Sequence, residues 1–91
     1  MTDKFNSVWD ALEDTPQEAE NMKIRSQLMI AISERVESFS GTQSEKAEKL
    51  GITQPRLNDL LKGRINKFKI DALIEIANKA GLHVTISTEA A

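Results

Sequence analysis

Apolar side chains recur at every third or fourth position through most of the chain, then change to strict alternation near its end. The first spacing is that of a helix with one buried face, and the second is that of a strand. Leu28, Ile32 and Val36 stand four apart with Met29 beside them, and Ala19, Met22 and Arg25 precede them on a more polar stretch. In "DTPQEAE", Thr15 can cap, Pro16 suits the first helical position and Glu18 completes a capping box. These signals predict a long helix from residue 16 to about 38, ended by "FSG" with Gly41 able to take the left-handed conformation. Thr42, with Glu45 three residues on, caps a second helix over 43–50, whose inward residues are Ala47 and Leu50. Gly51 stops it, and Ile52 crosses over as an apolar plug. Thr53 caps a third helix over 54–62, where Pro55 is tolerated because the first turn has no internal N–H bond to lose. The loop "RINKF" leads to a fourth helix, roughly 70–80, with Leu73, Ile74 and Ala77 facing in. "LHVTIS" then alternates, with Leu82, Val84 and Ile86 on one side and His83, Thr85 and Ser87 on the other, which predicts a strand over 82–87. The final "TEAA" reads as frayed.

Upstream of all this, "NSVWDALED" has the makings of a short helix. Ser7 and Asp10 resemble a capping box, and Val8, Trp9 and Leu12 would share a face. Such a piece is too short to stand alone, so its apolar residues must dock on something or stay mobile. Residues 1–15 are therefore read as an acidic leader whose order the sequence leaves open, and residues 16–91 as one domain.

A single strand in an otherwise helical chain leaves its backbone donors and acceptors unpaired. Pairing antiparallel with the same segment of a second copy, through Leu82, Val84 and Ile86, satisfies them and creates a two-fold axis. The alternative is an extended tail packed on the fourth helix. A chain of 91 residues lies near the lower end of what buries a self-sufficient core, which also favours a dimer. The expected fold is all-α: four main helices in a bundle, with a C-terminal dimerising β-strand.

Composition narrows the chemistry. There is no cysteine, so disulfides, thiolate chemistry and cysteine zinc sites are excluded. The one histidine, His83, is best placed as a strand-face residue without a catalytic or ligand role, and no metal or cofactor is expected. A serine nucleophile would need a positioned base, the glycines read as helix stops rather than a phosphate cradle, and paired carboxylates fall mainly in the leader. Catalysis is not expected. No apolar run approaches the roughly 20 residues that cross a bilayer, and "MTDKFNSVWD" lacks an export pattern, so the chain reads as soluble, cytoplasmic and without a membrane partner.

Charge changes the picture more. The formal net charge is -2, but it is unevenly spread. Residues 1–20 hold Asp3, Asp10, Glu13, Asp14, Glu18 and Glu20 against Lys4 alone. Between Gln54 and Lys69, by contrast, Arg56, Lys62, Arg64, Lys67 and Lys69 stand against Asp59. Screening confines a field to about 8–10 Å at ordinary salt, so a polyanion would feel the basic middle rather than the acidic sum.

That basic stretch contains the third helix. At about 100° per residue, Leu57, Leu60 and Leu61 cluster on one side and must be core. The opposite side is centred on Pro55, Asp59 and Lys62, with Asn58 next to it and Gln54 and Arg56 on the flanks. It offers amides, a guanidinium, a carboxylate and an ammonium, the groups that read base edges and phosphates in a major groove. Gln43, at the start of the second helix, would lie near a duplex backbone beside free helix N–H groups. The candidate DNA-binding residues are thus Gln43, Thr53, Gln54, Pro55, Arg56, Asn58, Asp59, Lys62, Arg64 and Lys67. The plain alternative is that Gln54 and Asn58 are ordinary solvated positions, and that Arg56 and Arg64 pair with Asp59 or Glu48 on the surface.

The stretch "TQSEKAEKLGITQPRLNDLLKGR" resembles the XRE (lambda-repressor-like, Cro/C1-type) helix-turn-helix, from Thr42 to Gly63. The likeness lies in Gln43 opening the second helix, Ala47 in its middle, the Leu50-Gly51-Ile52 turn, and Thr53-Gln54 opening the recognition helix. The wider chain resembles the small HigA-like antitoxin regulators, in an acidic leader with "VWDAL", then "QPRLNDLLKG", "FKIDALIEIANKAG" and a closing "HVTI". The resemblance implies a lambda-repressor-like bundle in which Gln43 and Lys62 touch phosphates while Gln54, Pro55 and Asp59 lie closest to base edges. Two positions depart from the pattern: Lys46 replaces a commonly apolar or small residue, and Lys69 stands at the usual cap of the fourth helix. Asp59 would repel phosphate, and so either reads a cytosine amino group or points into solvent.

The function expected from these features is sequence-specific repression of the chain's own operon, by a homodimer bound to a palindromic operator of double-stranded DNA. The leader would neutralise a basic, RNA-degrading toxin through Phe5, Val8, Trp9 and Leu12, or serve only as a solubilising arm. The reading from a different class is a protein-interaction adaptor that keeps the bundle and never engages DNA.

Overall fold

The computed structural model describes residues 15–90. The short helix expected near residue 8, and Phe5, Val8, Trp9 and Leu12 with it, lie outside the described residues. The architecture is helical: α1 (Pro16–Glu37), α2 (Gln43–Leu50), α3 (Gln54–Leu61), a 3-10 turn (Ile65–Lys67) and α4 (Ile70–Lys79).

Local chemistry sets the boundaries. Thr15 adopts extended backbone and its hydroxyl accepts the Glu18 N–H at 3.1 Å, with Pro16 behind it in the first turn. At α2 the capping box is complete, because Thr42 Oγ1 accepts the Glu45 N–H (3.1 Å) while Glu45 Oε1 accepts the Thr42 N–H (2.8 Å). Two orphan donors are satisfied reciprocally, which helps a helix of only 8 residues to form. Gly51 ends α2 at φ 73°, a left-handed conformation that side chains with a Cβ rarely take. The reversal lets α3 begin three residues later, where Thr53 Oγ1 accepts the Arg56 N–H at 3.2 Å.

The core lies where α1, α3 and α4 converge. Met29, Ile32 and Val36 of α1, Leu57 and Leu60 of α3, and Leu73, Ile76 and Ala77 of α4 are buried, joined by Ala47 and Leu50 of α2. Ile52 and Leu61 are half-buried against this cluster. Among the described residues no polar or charged side chain is fully buried, so the side chains that fill the interior are apolar.

Three expectations need correction. Ile74 does not face in: it is 36% exposed, whereas Ile76 is 4% exposed. Leu73, Ile76, Ala77 and Ala80 follow the three-and-four spacing of one helical stripe, and Ile74 sits about 100° round from Leu73 on its flank. The stretch "RINKF" is more than a connection, since Ile65 and Phe68 are both core residues. Their separation of three matches the turn of the 3-10 segment, which brings them to one side. Finally, the strand expected over 82–87 is not formed; among the described residues there is no helix or strand beyond Lys79. Strands exist through ladder bonds to a neighbour, and no other described segment offers any. Leu82 is tied back to α4, its N–H donating to Ala77 O (2.9 Å) and its carbonyl accepting Asn78 Nδ2 (3.0 Å). Leu82 and Val84 are half-buried against the core, while Ile86 is 81% exposed.

Candidate nucleic-acid interface

With Leu57 and Leu60 committed to the core, α3 has its remaining surface to present outward. Gln54, Pro55, Asn58 and Lys62 are exposed, and Arg56 and Asp59 are half-buried beside them. No large apolar residue interrupts this face. Thr53 caps the helix, and Gln43 is exposed in the first turn of α2. The candidate residues drawn from α2 and α3 therefore lie on two short helices locked to each other through the Gly51–Thr53 link. The lock includes the Ile52 N–H, which donates to Ala47 O at 3.0 Å.

The charged members are not equivalent. Arg64 donates to Asp59 Oδ1 at 2.9 Å, so these two largely cancel one another. Asp59 is thus accounted for without a base, and its side chain, 18% exposed, is drawn against the end of its own helix. Arg56 turns inward: it donates to Lys67 O at 2.8 Å, and its guanidinium carbon lies 4.2 Å from the centre of the Phe68 ring. A planar cation over an aromatic face is a favourable pairing, and here it holds α3 to the following loop. In this arrangement Arg56 is a strut between elements. Lys62, Lys67 and Lys69 are exposed and form no ion pair with a described residue. Their three ammonium groups supply the uncompensated positive charge.

Two residues important to this surface carried no recognised signal in the sequence. Phe68 falls in a stretch with no helical or strand period, yet among the described residues it is the largest fully buried side chain and the floor on which Arg56 rests. Arg25 stands in a polar stretch of α1. Its Nη1 donates to the carbonyls of Ile65 (3.1 Å) and Phe68 (3.2 Å), some 40 residues away. An aromatic flanked by cations in a short connecting segment was the one available hint for Phe68. For Arg25 no local pattern exists, because its partners are backbone atoms.

The arrangement is a short capped helix, a glycine turn, and a second helix whose outer face is polar and edged with lysines. Such a helix fits a major groove about 12 Å wide. No helix among the described residues is long and apolar enough to cross a membrane. No curated protein matches the chain. A family model described as a helix-turn-helix domain matches residues 11–89, which includes every described element. The chain belongs to the helix-turn-helix domain family, which implies DNA binding.

Proposed function

We propose that the protein is a sequence-specific transcriptional regulator that represses its own operon. The observation that carries this is the division of α3: Leu57 and Leu60 are buried, and Gln54, Asn58 and Lys62 are left facing outward together. Gln54, Pro55 and Asn58 read base edges in the major groove. Lys62, Lys67 and Gln43 meet phosphates, with Thr53 at the helix start nearby; Arg56 braces the loop, and Arg64 turns to phosphate only by leaving Asp59. A homodimer sets one α3 in each half-site of a palindrome, about one turn of duplex apart. The dimer forms through residues 82–87. In support, residues 83–90 make no backbone hydrogen bond with another described residue, and Ile86 is almost fully exposed.

The finer part of the reading is an antitoxin. Its support is compositional: an acidic leader with the apolar anchors Phe5, Val8, Trp9 and Leu12 suits a basic, RNA-degrading protein. Removing residues 1–15 should then abolish partner binding while leaving DNA binding in place.

The test of DNA binding is a salt titration with the duplex upstream of the chain's own gene. Neutralising several phosphates gives a steep slope of log affinity against log salt. Lys62→Ala should weaken all sequences alike and flatten that slope by about one. Gln54→Ala should relax preference at one base position, at a cost of about 1–3 kcal/mol on the best site. If both variants match the parent, α3 does not dock as described, and the adaptor reading takes its place.

A further inference from the structure

The segment between α3 and α4 exposes Asn66, Lys67 and Lys69 but contains only one short 3-10 turn of its own. Its position comes from two arginines on different helices. Half-buried Arg25 of α1 bonds the carbonyls of Ile65 (3.1 Å) and Phe68 (3.2 Å), the residues at either end of the turn. Arg25 Nε is itself oriented by Asn21 Oδ1 at 2.8 Å. From the other side, Arg56 of α3 holds the carbonyl of Lys67 (2.8 Å) and covers the Phe68 ring. Three backbone carbonyls within four residues are thereby pinned by forked, planar donors, a task a lysine ammonium performs poorly. Because Arg56 is the third residue of α3, the same bond places Lys67 next to the N-terminal end of that helix.

We propose that Arg25 is a positioning residue for DNA binding. It contacts no phosphate itself; it fixes the turn so that Lys67 is already ordered beside the recognition helix when the duplex arrives. This rests on the DNA-binding reading above. A lysine on a slack loop loses chain entropy on binding, whereas one on a pinned loop has lost it already. The consequence is a coupling between Arg25 and Lys67 that does not extend to Lys62, which sits at the end of α3.

A double-mutant cycle on the full chain tests this, with affinity for the promoter duplex read by fluorescence anisotropy and folding by circular dichroism. Arg25→Gln should lower affinity about three- to tenfold, the scale of one local interaction. Lys67→Ala should cost a similar factor alone and little more in the Arg25→Gln background, whereas Lys62→Ala should keep its full effect there. A merely structural role for Arg25 would not single out one lysine. Should Arg25→Gln lose helical signal, Arg25→Lys keeps the charge with poorer geometry and carries the same cycle. Full additivity of the Arg25 and Lys67 changes, with the parent binding normally, overturns this inference alone. A parent chain that binds no duplex overturns the DNA-binding reading and this inference with it.

Discussion

Asp59 and Arg64 neutralise each other on a surface otherwise edged with lysines. An exposed pair of this kind contributes at most about 1 kcal/mol to folding. Its larger effect is on the field felt by a polyanion, since one carboxylate both subtracts a charge and occupies a guanidinium. Asp59→Ala should therefore leave thermal stability nearly unchanged, raise affinity for all duplexes several-fold and steepen the salt slope; parallel titrations of variant and parent measure this. At the residue scale, which positions face outward was largely legible, because helical periodicity alone separates Leu57 and Leu60 from Gln54, Asn58 and Lys62. What each charged group does with its charge was not. Arg56 and Lys62 both read as solvent-side cations, yet one lies over Phe68 and the other forms no ion pair with a described residue, and that choice depends on a residue in a different element.

Among the elements, the bounds of the four described helices were legible to within a residue or so because their causes are local. Thr42 with Glu45, Thr53, Pro16 and the glycine after α2 act over three or four positions, and the structure uses each of them. The 3-10 turn was not legible, because three residues cannot display a period. That turn nevertheless brings Phe68, 1% exposed, into the middle of the bundle. Phe68→Ala should cost about 3–5 kcal/mol, enough to threaten folding of so small a domain, and should remove the platform under Arg56. Phe68→Leu should be milder in denaturation midpoint while still weakening DNA binding, because a leucine offers no ring face to the guanidinium. Urea melts and duplex titrations of both variants separate the two effects. The expected strand illustrates the opposite limit: alternation identified Leu82 and Val84 as the packed side, but ladder formation depends on a neighbour that no pattern within one chain can supply.

For the molecule as a whole, the proposed dimer is what the exposed side chains allow to be tested. Ile86 protrudes from a segment with no ladder of its own, next to a groove of about 810 Å³ that Ile24 and Leu28 of α1 also line. Ile86→Asp should give a chain of monomer mass by sedimentation with its helical signal intact, and should weaken operator binding by more than any single phosphate contact. A variant that stays dimeric would move the interface elsewhere.

The separation between an oily inner side and a polar outer side on α3 has an evolutionary consequence. On the proposed reading, diversifying positions 54, 55 and 58 would alter which bases the domain reads while leaving Leu57 and Leu60, which are buried in the core, untouched. Under that reading the scaffold would accept new base preferences by small steps, each intermediate still folded, with the bundle unchanged.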